Sequence, residues 1–109
     1  MAQNIQNPLF PLPAYDSAGA AIADQRLTVD STAGGVQFSA FNAITQVVVL
    51  DIQGADIMVT FDGSAPTTTN GHRLYDGDHY TWSKATATAA KMIRQAGVSA
   101  SVQASEFQV

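Results

Sequence analysis

Asp56-Ile57-Met58-Val59-Thr60-Phe61-Asp62-Gly63-Ser64-Ala65-Pro66-Thr67 is the stretch that decides the fold class of this chain. Ile57, Val59 and Phe61 alternate with Met58, Thr60 and Asp62, the pattern of a strand whose successive side chains point to opposite faces. Asp62-Gly63 then breaks the strand, because Gly accepts positive φ and Asp bonds its own downstream backbone. Pro66 has no N–H, so strand pairing does not continue through it. On this reading Asp62 and Ser64 serve the turn, and Ser64 as a nucleophile is the weaker alternative.

The β reading extends in both directions. Residues 46–53 form a core strand with Val48, Leu50 and Ile52 inward and Asp51 and Gln53 on the other face. Gly54-Ala55-Asp56 reads as a hairpin turn, which sets Val48, Leu50 and Ile52 against Ile57, Val59 and Phe61. Residues 72–75 and 79–83 read as strands around an Asp76-Gly77 turn. Residues 84–96 are open: Ala85, Ala89, Met92 and Ala96 fit a helical stripe, while Met92-Ile93-Arg94 before Ala-Gly-Val fits a strand entering a hairpin. Strand over 88–95 is the preferred reading, because Val98, Ala100, Val102 and Ala104 alternate with Ser99, Ser101, Gln103 and Ser105 in a final strand that needs a partner. Nearer the N-terminus, residues 22–30 form a strand, residues 31–35 a turn and residues 36–38 a short strand. About eight short antiparallel strands with turns every 8–12 residues predict an all-β protein, a single β-sandwich or jelly-roll-like domain over residues 22–109.

Residues 1–21 differ. They contain Pro8, Pro11 and Pro13, no cation, and the apolar residues Leu9, Phe10, Leu12 and Tyr15. Each Pro fixes its own φ and biases the residue before it, so the segment reads as an extended N-terminal arm. Its apolar side chains suit an arm lying along a surface, its own domain's or a neighbour's. The first residues have neither a cationic nor an apolar signal-peptide region.

Composition narrows the function. Charged residues make up 13% of the chain, against the usual ~25%, and the net charge is −4. The five cations, Arg26, Arg73, Lys84, Lys91 and Arg94, are scattered, which argues against binding nucleic acid through its phosphates. The longest apolar run, residues 47–50, is far short of a membrane span. There are no cysteines, hence no disulfide, zinc–thiolate site or cysteine nucleophile. Sparse charge among many Ala, Thr, Ser, Gln and Val residues suits a chain that covers much of its surface in an oligomer or larger assembly. A weakly charged monomer is the plainer alternative.

No catalytic motif stands out, and none of the Gly-rich phosphate or nucleophile-elbow patterns is present. His72 and His79 flank Asp76 and Asp78 and would make a divalent-metal site if a hairpin brought them together; exposed polar residues around a turn are the preferred reading. A calcium site from Asp62, Asp76 and Asp78 is weaker, as no Asp-x-Asp-x-Asp-Gly loop exists. Tyr75, Tyr80 and Trp82 are either a sugar-binding platform or, the favoured reading, core residues. Lys91 and Arg94 belong at a strand edge or an interface. The expectation is therefore no catalytic residue, no cofactor and no metal.

Residues 59–67 (Val-Thr-Phe-Asp-Gly-Ser-Ala-Pro-Thr), Gly71-His72-Arg73-Leu74, Gly77, Ala90-Lys91-Met92-Ile93-Arg94 with Gly97, and the terminal strand resemble small virion proteins of tailed bacteriophages, over roughly residues 45–109. The resemblance implies a non-enzymatic structural protein of the virion, foremost a capsid decoration (cement) protein on the outer surface of the major capsid protein shell. It implies partners in the major capsid protein and in copies of itself, as a homo-oligomer such as a trimer, with assembly in the host cytoplasm and no nucleic acid or membrane partner. Leu9, Phe10, Leu12 and Tyr15 are the expected contacts. A head–tail adaptor or a tail or fibre component is the alternative location, and a carbohydrate-binding β-sandwich module the alternative function.

Overall fold

The computed structural model describes residues 21–108. Of these, 44% lie in strands and 7% in helix, and every strand pairing is antiparallel. The strands are β1 (Ala23–Val29), β2 (Val47–Gln53), β3 (Ile57–Thr60), β4 (His72–Leu74), β5 (His79–Ser83), β6 (Lys91–Arg94) and β7 (Ala100–Phe107), with a short helix α1 (Lys84–Ala89) between β5 and β6. They form a four-stranded sheet in the order β1-β7-β2-β5 and a three-stranded sheet in the order β4-β3-β6. The all-β expectation therefore holds at the level of antiparallel sheets.

The inward rows of the larger sheet follow its register. Leu27 lies beside Val102 and Val29 beside Ala100; Ile52 and Leu50 flank Val102 and Ala104; Tyr80 and Trp82 lie beside Leu50 and Val48. These rows share one apolar cluster with Ile57, Val59, Leu74 and Met92 of the smaller sheet and with Ala87 of α1. Removing such side chains from water is the main favourable term in folding.

Three pairings expected from the sequence are corrected. β2 and β3 do not form a hairpin, because both edges of β2 are already taken, one by β5 and the other by β7. Residues 54–56 instead carry the chain from one sheet to the other. Gly54 has φ +91, its N–H donates to Asp76 Oδ1 at 2.9 Å, and Asp56 Oδ1 accepts the Asp76 N–H at 2.8 Å. The Asp76-Gly77 turn is a second such crossing, so β4 and β5 lie in different sheets; here Gly77 N–H donates to Ile52 O at 2.7 Å. β6 and β7 are likewise not a hairpin: β6 pairs with β3, and β7 lies between β1 and β2.

Residues 84–96 are helix and then strand, so the strand expected over 88–95 begins only at Lys91. Ser83 caps α1, its Oγ accepting the Thr86 N–H at 3.2 Å, as a hydroxyl at that position does. Ala87 and Ala90 are fully buried, and Ala90 is already extended, which hands the chain to β6. The short strand expected over 36–38 is a single bridge, Val36 to Met92.

Candidate functional site

The four contact residues expected in the arm, Leu9, Phe10, Leu12 and Tyr15, lie outside the described residues. The other candidates can be located.

Ser64 is committed to its turn. Its Oγ donates to Asp62 Oδ1 at 2.6 Å, and its N–H donates to the same oxygen at 3.0 Å. The hydroxyl, and then the N–H, hold the Asp62 carboxyl below its ordinary pKa. Thr60 Oγ1 donates to Ser64 O at 2.6 Å, and Lys91 Nζ reaches Gly63 O at 3.0 Å from β6, an edge strand. Pro66 is fully buried, and its ring lies 3.0 Å from where a Cβ on Gly35 would sit.

His72 and His79 do not meet. His72 starts β4 in the smaller sheet, its ring 5.9 Å from that of Phe61. His79 starts β5 in the larger sheet and pairs with Asp51 at 2.6 Å. The described residues contain no cluster of three or more His, Cys, Asp or Glu able to hold a metal ion. Asp76 and Asp78 serve the sheet crossings: Asp78 Oδ2 accepts from Tyr80 OH at 2.9 Å and from the Tyr75 N–H at 3.3 Å. Burial, and then the Asp78 carboxylate, push the Tyr80 phenol up to about 12.

The three aromatics are split as well. Tyr80 and Trp82 pack against the core, and Trp82 meets the Phe61 ring edge-on at 5.2 Å, joining the two sheets. Tyr75, directly after β4, is 53% exposed, with the Arg73 guanidinium 5.2 Å from its ring centre. Asp56 Oδ2 accepts from Arg73 Nη2 at 2.7 Å and Nε at 3.1 Å. The Asp76 N–H, and then Arg73, keep the Asp56 carboxyl below its ordinary pKa.

Two surfaces emerge that single-strand reading did not show. The first is the outer face of the four-stranded sheet. Three polar pairs lie within the face: Ser105 Oγ donates to Asp24 Oδ1 at 2.5 Å, Arg26 Nη2 to Gln53 Oε1 at 3.3 Å, and His79 pairs with Asp51. The register sets Val49 beside Ser105 and Val47 beside Phe107, so half-exposed apolar side chains lie among these pairs.

The second is a groove of about 480 Å³ beyond the C-terminal end of β3. One wall is the Asp62-Gly63-Ser64 turn with Thr60 and Phe61; the other is Asn70, Gly71 and His72. Thr67 fixes the second wall, its Oγ1 accepting from the Asn70 N–H at 2.9 Å. Gly71 is required there: φ is +130, and a Cβ would come within 2.9 Å of Val59 O.

One buried carboxylate was missed in the sequence. Glu106, 3% exposed, accepts from the Asn42 N–H at 2.8 Å and from Thr45 Oγ1 at 2.7 Å, and so ties residues 42–45 to β7. The signal was its parity: continuing the Ala100, Val102, Ala104 alternation one step reaches Glu106.

No family model matches the chain, and no curated protein or solved structure matches it. No helix among the described residues is long and apolar enough to cross a membrane.

Proposed function

We propose that this chain is a non-enzymatic structural protein of a tailed-bacteriophage virion, a capsid decoration protein that binds the outer surface of the major capsid protein shell and stabilises the head. The proposal includes a β-sandwich architecture, the two sheets being its layers, and self-association on the particle. The outer face of the four-stranded sheet is the observation that carries it. Burying a polar group costs free energy unless its hydrogen bonds are kept. The pairs Asp24–Ser105, Arg26–Gln53 and Asp51–His79 already supply partners within the face. Another protein surface can therefore cover these three pairs without having to match them, and gain from Val47 and Val49. The likeness of roughly residues 45–109 to small virion proteins supplies the particle.

The arm adds Leu9, Phe10, Leu12 and Tyr15 as further proposed contacts with the capsid. Copy number separates decoration from a head–tail or fibre position: hundreds per particle support decoration, and about a dozen supports the neck. Quantitative mass spectrometry of purified particles measures it, and absence from the particle overturns the proposal. Deleting residues 1–15 should weaken capsid binding; unchanged binding and capsid stability would remove the arm from the account.

A further inference from the structure

We propose that the groove between the Asp62-Gly63-Ser64 turn and the Asn70-Gly71-His72 segment is a binding site for a neutral saccharide, with Phe61 as the stacking surface. The lining selects the ligand class. One wall carries a carboxylate, and no lysine or arginine lines the groove, Lys91 being bound to Gly63 O, so phosphate and other anions are disfavoured. A single carboxylate is too little for a divalent cation, which takes several oxygen ligands. Thr60, Asp62, Ser64, Asn70 and His72 give the lining polar atoms that a purely apolar ligand would leave unpaired. What remains is a molecule with one apolar face and several hydroxyls, the chemistry of a sugar ring.

The groove's polar groups have capacity to spare. Both bonds from Ser64 go to Asp62 Oδ1, which leaves Oδ2 as an acceptor. The Asn70 side chain and the His72 ring nitrogens make no hydrogen bond with described residues. A carboxylate, a carboxamide and an imidazole thus share the groove lining with Phe61, offering donors and acceptors to vicinal hydroxyls. Both walls are fixed before any ligand arrives, one by Thr60 and Lys91 and the other by Thr67. Rigid walls lower the ordering cost of binding. The volume lies within the usual range for small-molecule sites, about 300–1,000 Å³. This places sugar recognition away from Tyr75, Tyr80 and Trp82, where the sequence alone would look for it.

Titration of the isotopically labelled protein with D-glucose, D-galactose, N-acetyl-D-glucosamine, maltose and lactose tests the site, read by amide chemical shifts and Trp82 fluorescence. At least one sugar should bind saturably with shifts centred on Phe61, Asp62, Asn70, Gly71 and His72. Trp82, edge-on to Phe61, should report the same titration optically. Asn70→Ala removes a side chain with no internal partner, so its amide spectrum should stay folded while affinity falls about tenfold, the worth of one good hydrogen-bonding group. Inorganic phosphate should leave these amides unmoved. The proposal is overturned if no sugar of the panel shifts them, if shifts centre on Tyr75 instead, or if folded Asn70→Ala binds as tightly as the parent. Each result is independent of the proposed capsid attachment, which uses the outer face of the four-stranded sheet.

Discussion

β2 and β3 carry the same alternating pattern, yet they sit in different surroundings. β2 is central in the larger sheet and alternates cleanly: Val48, Leu50 and Ile52 are fully buried, and Val47, Val49, Asp51 and Gln53 are half-exposed. β3 is central in the smaller sheet and buried on both sides, with Met58 at 6% and Thr60 at 7% exposure beside fully buried Ile57 and Val59. Alternation identifies an inward row; it does not tell whether the other row faces water. The central strand of the larger sheet keeps a half-exposed row, whereas the central strand of the smaller one is buried in both rows.

Substitutions on the second rows of these strands separate the sheets most strongly. Met58→Lys should cost about 3 kcal/mol or more in denaturant unfolding, since it buries a charge without a partner. Val49→Lys should stay within about 0.5 kcal/mol of the parent, as a surface change does. Equal costs would break the distinction. Next in size, Glu106→Ala should cost about 2–3 kcal/mol by leaving the Asn42 N–H and the Thr45 hydroxyl unpaired in the larger sheet.

Two glycines at the open end of the smaller sheet sharpen the comparison further. Gly71→Ala meets Val59 O at 2.9 Å, whereas Gly63, at φ +90, has nothing within 4 Å of an added Cβ. Gly63→Ala should cost about 1 kcal/mol of backbone strain and Gly71→Ala clearly more, by thermal unfolding.

The smallest effect is acid loosening of the turns. Asp62 and Asp56 titrate below their unfolded values, so their contribution is present above the unfolded carboxyl pKa and is lost as pH falls through the folded one. Amide exchange at Ser64 and Asp76 should accelerate over that acid range, and Asp62→Asn should flatten the response at Ser64 alone. Tyr80 behaves oppositely: its raised pKa adds stability that is full below the unfolded tyrosine pKa and is lost as pH rises through about 12.

Much of the local structure was legible. Residues 79–83 were read as the strand the structure shows, the inward rows of β2 and β7 followed from parity, and Asp62 and Ser64 were read as turn chemistry. Partner choice was not legible. Gly54-Ala55-Asp56 and Asp76-Gly77 have hairpin composition, but they are sheet crossings held by Asp56 and Asp76 side chains from opposite turns. That exchange joins residues twenty or more positions apart, beyond what a local pattern encodes. The groove was hidden for the same reason, since its walls come from separate turns. The outer face of the larger sheet needed the lateral order of four strands before Val49 could be placed beside Ser105.

The central claim is that the outer face of the larger sheet seats this protein on a capsid. The direct measurement is saturation binding of purified protein to phage heads lacking it, comparing the parent with Val49→Lys. The account predicts saturable binding of the parent in hundreds of copies per head, and loss of binding by a variant that stays folded. A parent that does not bind heads, or a Val49→Lys protein that binds them as well as the parent, would contradict it.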